Sequence, residues 1–183
     1  MKKANRLSTK ELVTAAVFTA VTIVLALTSI PMPSGVPLTL QTFAVALCGY
    51  TLGAKLGFVS IVTYILLGTA GAPVFSNFRG GIGMLAGYTG GFIFGFIPFV
   101  LLCGLSVRRK MYIALPLGAL GLMLCHALGV AQFSLVASRP FIDSFVLVSL
   151  PYLVKDGASL LTAYYTAIAL RRALPFLRER QRV

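Results

Sequence analysis

Apolar stretches of about 17 to 25 residues recur along this 183-residue chain, and a helix of that length crosses a hydrocarbon core of roughly 30 Å. The polar residues are too few to keep such stretches in water: 58% of the chain is hydrophobic, 11% is charged, and the mean hydropathy is +0.93. The chain therefore reads as an all-α integral membrane protein in a lipid bilayer, a single membrane domain over residues 1–183. Six transmembrane helices are expected, at about 9–30, 38–52, 56–70, 88–107, 111–137 and 144–170.

Local signals place the first boundaries. Ser8-Thr9-Lys10-Glu11 has the spacing of a capping box, and Pro31, Pro33 and Pro37 mark the end of the first helix. The run from Leu12 to Ile30 is too long for a cleavable signal and ends in a proline-rich loop, so it is read as a retained helix. Glycines crowd two segments, 71–81 and 87–91.

The net charge of +12 would suggest nucleic acid in a soluble protein, but here Lys and Arg fall between apolar segments instead of along one face. With these spans, thirteen of the sixteen basic residues lie on one side, among them Lys10, Lys55, Arg108, Arg109, Lys110, Arg171 and Arg172. Only Arg79 and Arg139 fall on the other side, and Lys155 lies within the last helix. The positive-inside rule then predicts that both termini are cytoplasmic. No nucleic-acid partner is expected.

Lys155-Asp156 is the most informative pair, because an ionised side chain near the membrane centre costs about 2.5 to 3.5 kcal/mol and usually lines a cavity or a substrate path. A mutual ion pair is disfavoured by position, since neighbours on a helix diverge by about 100°. Tyr152, Asp156 and Ser159, at i−4, i and i+3, form one polar stripe, and Pro151 leaves the Leu147 carbonyl without its usual donor. The segment from Gly71 to Gly81, with Phe75, Asn77 and Arg79, predicts irregular backbone at the membrane rim, suited to a lid over a site. Tyr88 stands in the second glycine cluster, where close helix packing is the competing reading. Gln41 offers a buried amide for a ligand carrying a urea or amide, or else for a neighbouring helix.

Other features point away from catalysis. Cys48, Cys103 and Cys125 lie in apolar runs without metal-ligand spacing, and the single histidine, His126, has no second ligand at i±3 or i±4, so it is expected to be packed or hydrogen-bonded. No nucleophile and base pair is evident, and no G-x-x-x-x-G-K-[ST] sequence exists for ATP. Neither catalytic residues, a metal nor a cofactor is predicted. Ala16 and Ala20 make a small-xxx-small pair on helix 1 that lets another helix approach, and Gly49, Gly53 and Gly57 repeat that spacing and are expected to serve internal packing.

Four segments carry a family resemblance over essentially the whole chain: Val36-Pro37-Leu38-Thr39-Leu40-Gln41-Thr42-Phe43-Ala44, Gly71-Ala72-Pro73-Val74-Phe75 with Arg79-Gly80-Gly81, Thr89-Gly90-Gly91, and Pro151-Tyr152 leading to Asp156. In these the chain resembles the biotin-specific S components, the BioY family, of energy-coupling factor transporters. The resemblance implies a six-helix S component in a bacterial plasma membrane. It would capture biotin from outside with high affinity and pass it inward with a transmembrane coupling subunit and two ATP-binding cassette ATPases. Ala16 and Ala20 match the family's docking pattern for the coupling subunit. Gln41, Asn77, Arg79, Lys155 and Asp156 could supply the ligand's polar partners. Arg79 and Lys155 would neutralise the carboxylate, Asp156 would accept ureido N–H bonds, and Phe75 and Tyr88 would cover the ring and chain. Many members have Pro-Gly-Asp and a lysine three residues after the aspartate, whereas here Val154-Lys155 precedes Asp156 and Ser159 takes the later position. Lys155 is accordingly expected to reach a ligand from a different side than Asp156. An S component for another vitamin, a carrier working without ATPases, an intramembrane enzyme and a channel or purely structural subunit are the alternatives.

Overall fold

The computed structural model describes residues 7–107, 109–174 and 177. Lys2, Lys3, Arg6, Arg108, Arg178, Arg180 and Arg182, which enter the charge count, lie outside them.

Helix α1 spans Thr9–Leu27 and starts as its sequence predicts: the Glu11 amide donates to Ser8 Oγ at 3.3 Å and Glu11 Oε2 accepts from the Ser8 amide at 2.7 Å. It stops three residues short of the expected Ile30. Ser29–Ile30 (β1) instead pairs antiparallel with Leu38–Thr39 (β2), because a residue preceding proline is steered to extended backbone and Pro31 follows Ile30. Because Leu38 and Thr39 are held in that strand pair, helix α2, Gln41–Leu52, starts after the predicted Leu38, and Gln41 is its first residue.

Eleven of the twelve residues of α2 are buried, which makes it the central helix. It packs against α1, against α3 (Ala54–Thr69), against α5 (Gly90–Leu105) and against α8 (Leu150–Ala173). Helix α6, Met111–Ala137, lies along α5, and the contact is close because α5 presents glycine there: a Cβ on Gly95 would lie 2.6 Å from the Cα of Cys125. Gly49 and Gly57 likewise face α5, which agrees with their predicted packing role. The three cysteines are free and buried.

The glycine-rich connection folds into a tight turn at Ser76–Phe78, closed by two backbone bonds between Phe75 and Arg79, and then a short helix α4, Gly83–Ala86. Asn77 takes a left-handed conformation with φ 60°, which asparagine tolerates better than most residues. Ser29 Oγ donates to Asn77 Oδ1 at 3.0 Å and so pins this turn to the end of α1.

The predicted last helix is in fact two. Helix α7, Phe141–Val148, meets α8 at Ser149 with a bend of 52°. Pro151 sits in the first turn of α8, where its missing N–H is no loss, but the same residue could not continue a helix running in from α7.

Helices α1 and α6 are each long and apolar enough to cross a membrane, and α7 with α8 makes a third span if the bent pair is counted as one; α3 and α5 are shorter apolar helices. At the end where α8 finishes, Arg171 Nη1 donates to the Val107 carbonyl at 2.9 Å and ties α8 to the turn between α5 and α6. The glycine- and proline-rich loops gather at the opposite end.

Candidate functional site

A cavity of about 60 Å³ opens between the start of α2, the turn at 75–76, α5, α6 and α8. Its walls are largely apolar, with Phe92, Ile93 and Phe96 from α5 and Val148 from the end of α7. One side is polar. There Asp156, 4% exposed, is the centre of a hydrogen-bonded network drawn from three helices and the break between α7 and α8.

Two groups converge on Oδ1 of Asp156: the hydroxyl of Thr42 and the ammonium of Lys155. On Oδ2 stands His126 Nε2 at 3.2 Å, while His126 Nδ1 lies 2.8 Å from Ser149 Oγ. Lys155 Nζ also donates to the Thr39 carbonyl at 2.8 Å and to Thr42 Oγ1 at 3.0 Å. An ammonium has three N–H donors, and these three contacts engage them all.

The expected divergence of Lys155 from Asp156 is therefore corrected: the two form an ion pair. The backbone vectors do diverge by the helical angle. The lysine stem is long enough to swing back, however, and Thr39 and Thr42 on the facing segment hold its head beside the carboxylate. The polar stripe keeps its predicted face, with Tyr152, Asp156 and Ser159 all buried. Tyr152 donates to the Val36 carbonyl at 2.6 Å and anchors α8 to the loop before α2.

Gln41 bonds to a neighbouring helix and also faces the cavity. Its Nε2 donates to Tyr64 Oη of α3 at 2.7 Å, its Oε1 accepts from Thr39 Oγ1 at 3.0 Å, and the side chain lines the cavity. Phe75, 1% exposed, lines it too and stands edge-on to Tyr64 at 5.5 Å.

The other predicted site residues lie elsewhere. Asn77, Arg79 and Tyr88 line an adjoining vestibule of about 470 Å³ at the loop-rich end, which shares Pro37, Ser76, Met84 and Thr89 with the inner cavity. Arg79 is exposed there and has no ion-pair partner among the described residues. The Tyr88 ring is tilted against Phe133 at 5.3 Å. The second glycine cluster serves close packing as well: Gly90 abuts the Leu85 carbonyl, Gly91 abuts the Leu128 carbonyl, and Gln132 Nε2 donates to the Leu85 and Gly87 carbonyls at 2.6 and 2.9 Å.

Sequence reasoning missed Thr39, Thr42 and His126 as lining residues. The two threonines stand inside the segment at 36–44, so their position was marked though their role was not. His126 gave no local signal, since its partner is thirty residues away. On α1, Ala16 and Ala20 are both exposed, while Ala15, Phe18, Thr19, Thr22 and Ala26 turn inward.

Comparison with known proteins adds an independent line. The BioY family profile matches residues 1–176. The biotin transporter BioY of Thermotoga maritima is 46% identical over 123 residues, covering 66% of this chain and 72% of the relative. The probable biotin transporter BioY of Pyrococcus horikoshii is 39% identical over 158 residues, covering 86% and 94%. The structure superposes with a TM-score of 0.76 on the crystal structure of the S-component for biotin from an ECF-type ABC transporter, at 25% identity and over 92% of this chain and 94% of the other.

Proposed function

The chain belongs to the BioY family, and from that premise we propose that it is the biotin-binding S component of an energy-coupling factor transporter. As a membrane protein of this family it would span a bacterial plasma membrane six times as one domain, with both termini in the cytoplasm and the loop-rich end outward. Its work is capture and delivery of a vitamin, not catalysis.

The observation that carries the substrate reading is the pairing of a buried carboxylate with an apolar cavity that adjoins a vestibule bearing an arginine with no ion-pair partner among the described residues. Biotin has matching parts: a ureido ring that donates N–H groups, an apolar thioether ring and chain, and a terminal carboxylate. Asp156 accepts from the ureido ring, and Gln41 adds an amide beside it. Phe75 covers the rings, and Tyr88 lies along the chain. Arg79, with Asn77 near it, neutralises the carboxylate. Lys155 contributes as the counter-ion of Asp156, since its donors are taken. The inner cavity has room for only about four to six waters, and Met84 lines both it and the vestibule.

The test is equilibrium binding of biotin to the purified, detergent-solubilised chain, with thiamine and riboflavin as competitors. Saturable one-to-one binding in the nanomolar range, untouched by the competitors, is expected. Binding that thiamine or riboflavin displaces would move the substrate to another vitamin, and no binding by folded protein would discard the site roles.

Inward delivery requires a transmembrane coupling subunit and two ABC ATPases. The exposed Ala16 and Ala20 give the coupling subunit a place for close helix approach. Ala20→Trp is expected to leave biotin affinity within about twofold and to abolish both co-purification with the coupling subunit and ATP-dependent uptake in reconstituted vesicles. Uptake that persists in cells lacking the coupling subunit would instead establish a carrier working alone.

A further inference from the structure

Asp156 is more completely engaged than a ligand-binding carboxylate needs to be, and counting its acceptor positions identifies a further residue of the site. An ionised carboxylate offers roughly four acceptor positions, two on each oxygen. Thr42 and Lys155 occupy Oδ1, and His126 Nε2 occupies one position on Oδ2. One position remains, on the oxygen that His126 holds.

The histidine is itself fixed from three directions. A carboxylate oxygen only accepts, so Nε2 carries a hydrogen in the neutral ring and in the charged ring alike. Nδ1 is held by Ser149 Oγ at 2.8 Å, and Ser149 is fully buried at the break between α7 and α8. The ring stands edge-on to Phe92, with centroids 5.8 Å apart and an interplanar angle of 88°. His126, 5% exposed, also lines the cavity. The orientation of the carboxylate is thus set from α2, α6 and the α7–α8 break at once.

We propose that His126 is the positioning residue of this site: by holding Oδ2 of Asp156 through Nε2–H, it leaves a single acceptor position for one ligand N–H and so makes the site selective for a ligand with an unsubstituted ureido nitrogen. This rests on the biotin-binding reading above. It does not require His126 to change its charge.

Three substitutions in the full chain separate positioning from packing. The amide of His126→Gln reaches the place of Nε2 and keeps a donor to Asp156. That of His126→Asn reaches only the place of Nδ1 and keeps the Ser149 contact. His126→Phe keeps the ring shape alone. Biotin and an N-methylated ureido analogue would be titrated against each in detergent, and ligand-free melting temperatures recorded alongside. The expected result is that Gln holds biotin affinity within about threefold, while Asn and Phe lose about tenfold or more. The preference of the wild type for biotin over the N-methyl analogue should shrink in Asn and Phe and survive in Gln. Wild-type affinity and selectivity in the Asn variant would overturn the proposal, as would losses that follow melting temperature across all three. Either outcome leaves biotin binding by the wild type intact; failure of the wild type to bind biotin would instead sink the proposed function.

Discussion

Asp156→Asn is expected to weaken biotin binding by about 30-fold to several-thousand-fold, the range of about 2 to 5 kcal/mol seen when one partner of a buried, hydrogen-bonded charge pair is removed. The amide keeps the size of the carboxylate but turns one acceptor into a donor. Where Oδ1 now receives Thr42 and Lys155 and Oδ2 receives His126, an amide can accept at one atom only. Turned one way, its N–H faces His126 and the ligand's N–H loses its acceptor; turned the other way, its N–H faces Lys155 and Thr42, and the network that orients the remaining acceptor is broken. Part of the loss would come from the lysine left without its counter-charge, so the double variant Lys155→Met with Asp156→Asn is the necessary companion. Replacing both members of an internal ion pair is often close to neutral for folding, so the double variant should melt near the wild type and still fail to bind. Isothermal titration with biotin, set beside thermal unfolding in the same detergent, reads both quantities. Asp156→Asn binding within about twofold of wild type would remove this residue from the site.

Gly95→Val should damage the fold severely. A Cβ at that position would come within 2.6 Å of the Cα of Cys125 and 2.9 Å of its sulfur, and the first of these is backbone that cannot rotate away. Overpacking a well-filled interior costs about 1 to 3 kcal/mol when side chains can adjust, and more is expected where two helix backbones must separate. Because α5 and α6 both wall the cavity, a forced separation also shifts Phe92, Phe96 and His126. The expected outcome is a large fall in monodisperse protein after extraction and a lowered melting temperature in what remains. Gly83→Ala is the control, since nothing stands within 4 Å of a Cβ there. A Gly95→Val chain that melts like wild type would show that the α5–α6 contact has slack that the static packing does not reveal.

The two predictions depend on information of different kinds. That Asp156 would need partners was legible at once, because an acid inside an apolar helix is costly wherever the rest of the chain goes, and the i−4, i, i+3 spacing put Tyr152 and Ser159 on its face whatever that face met. The closeness of α5 to α6 was legible only as a surplus of glycine. Sequence alone could not say whether Gly90 and Gly91 opened a lid or closed a helix contact, since both need the absence of a side chain.

Lys155 marks the limit more plainly. Helical geometry predicts where its Cβ points, and that was right; where a flexible stem carries the ammonium is decided by acceptors on another segment, Thr39 and Thr42. His126 is the same case from the other side, a residue with no local signal whose meaning comes from Asp156 and Ser149. Asn77, Arg79 and Tyr88 are joined to the inner residues in the sequence reading only through the family resemblance and the lid expected at 71–81. The turn at 76–78 divides them, leaving Phe75 inside and Arg79 in the vestibule.

What the sequence by itself determined is whatever depends on one segment against its solvent: the apolar helices, the capping box that starts α1, the prolines that end it, the basic turns, and the high cost of an acid at position 156. What only the tertiary structure decided is whatever depends on two segments meeting: the strand pair that shortens α1 and α2, the bend at Ser149, the ion pair of Lys155, and the place of His126. The physical reason is one of range. Burial and backbone propensity act on each residue through its immediate neighbours and leave a periodic trace in the chain, whereas a hydrogen bond between residues 126 and 156 acts over 3.2 Å in space and leaves none.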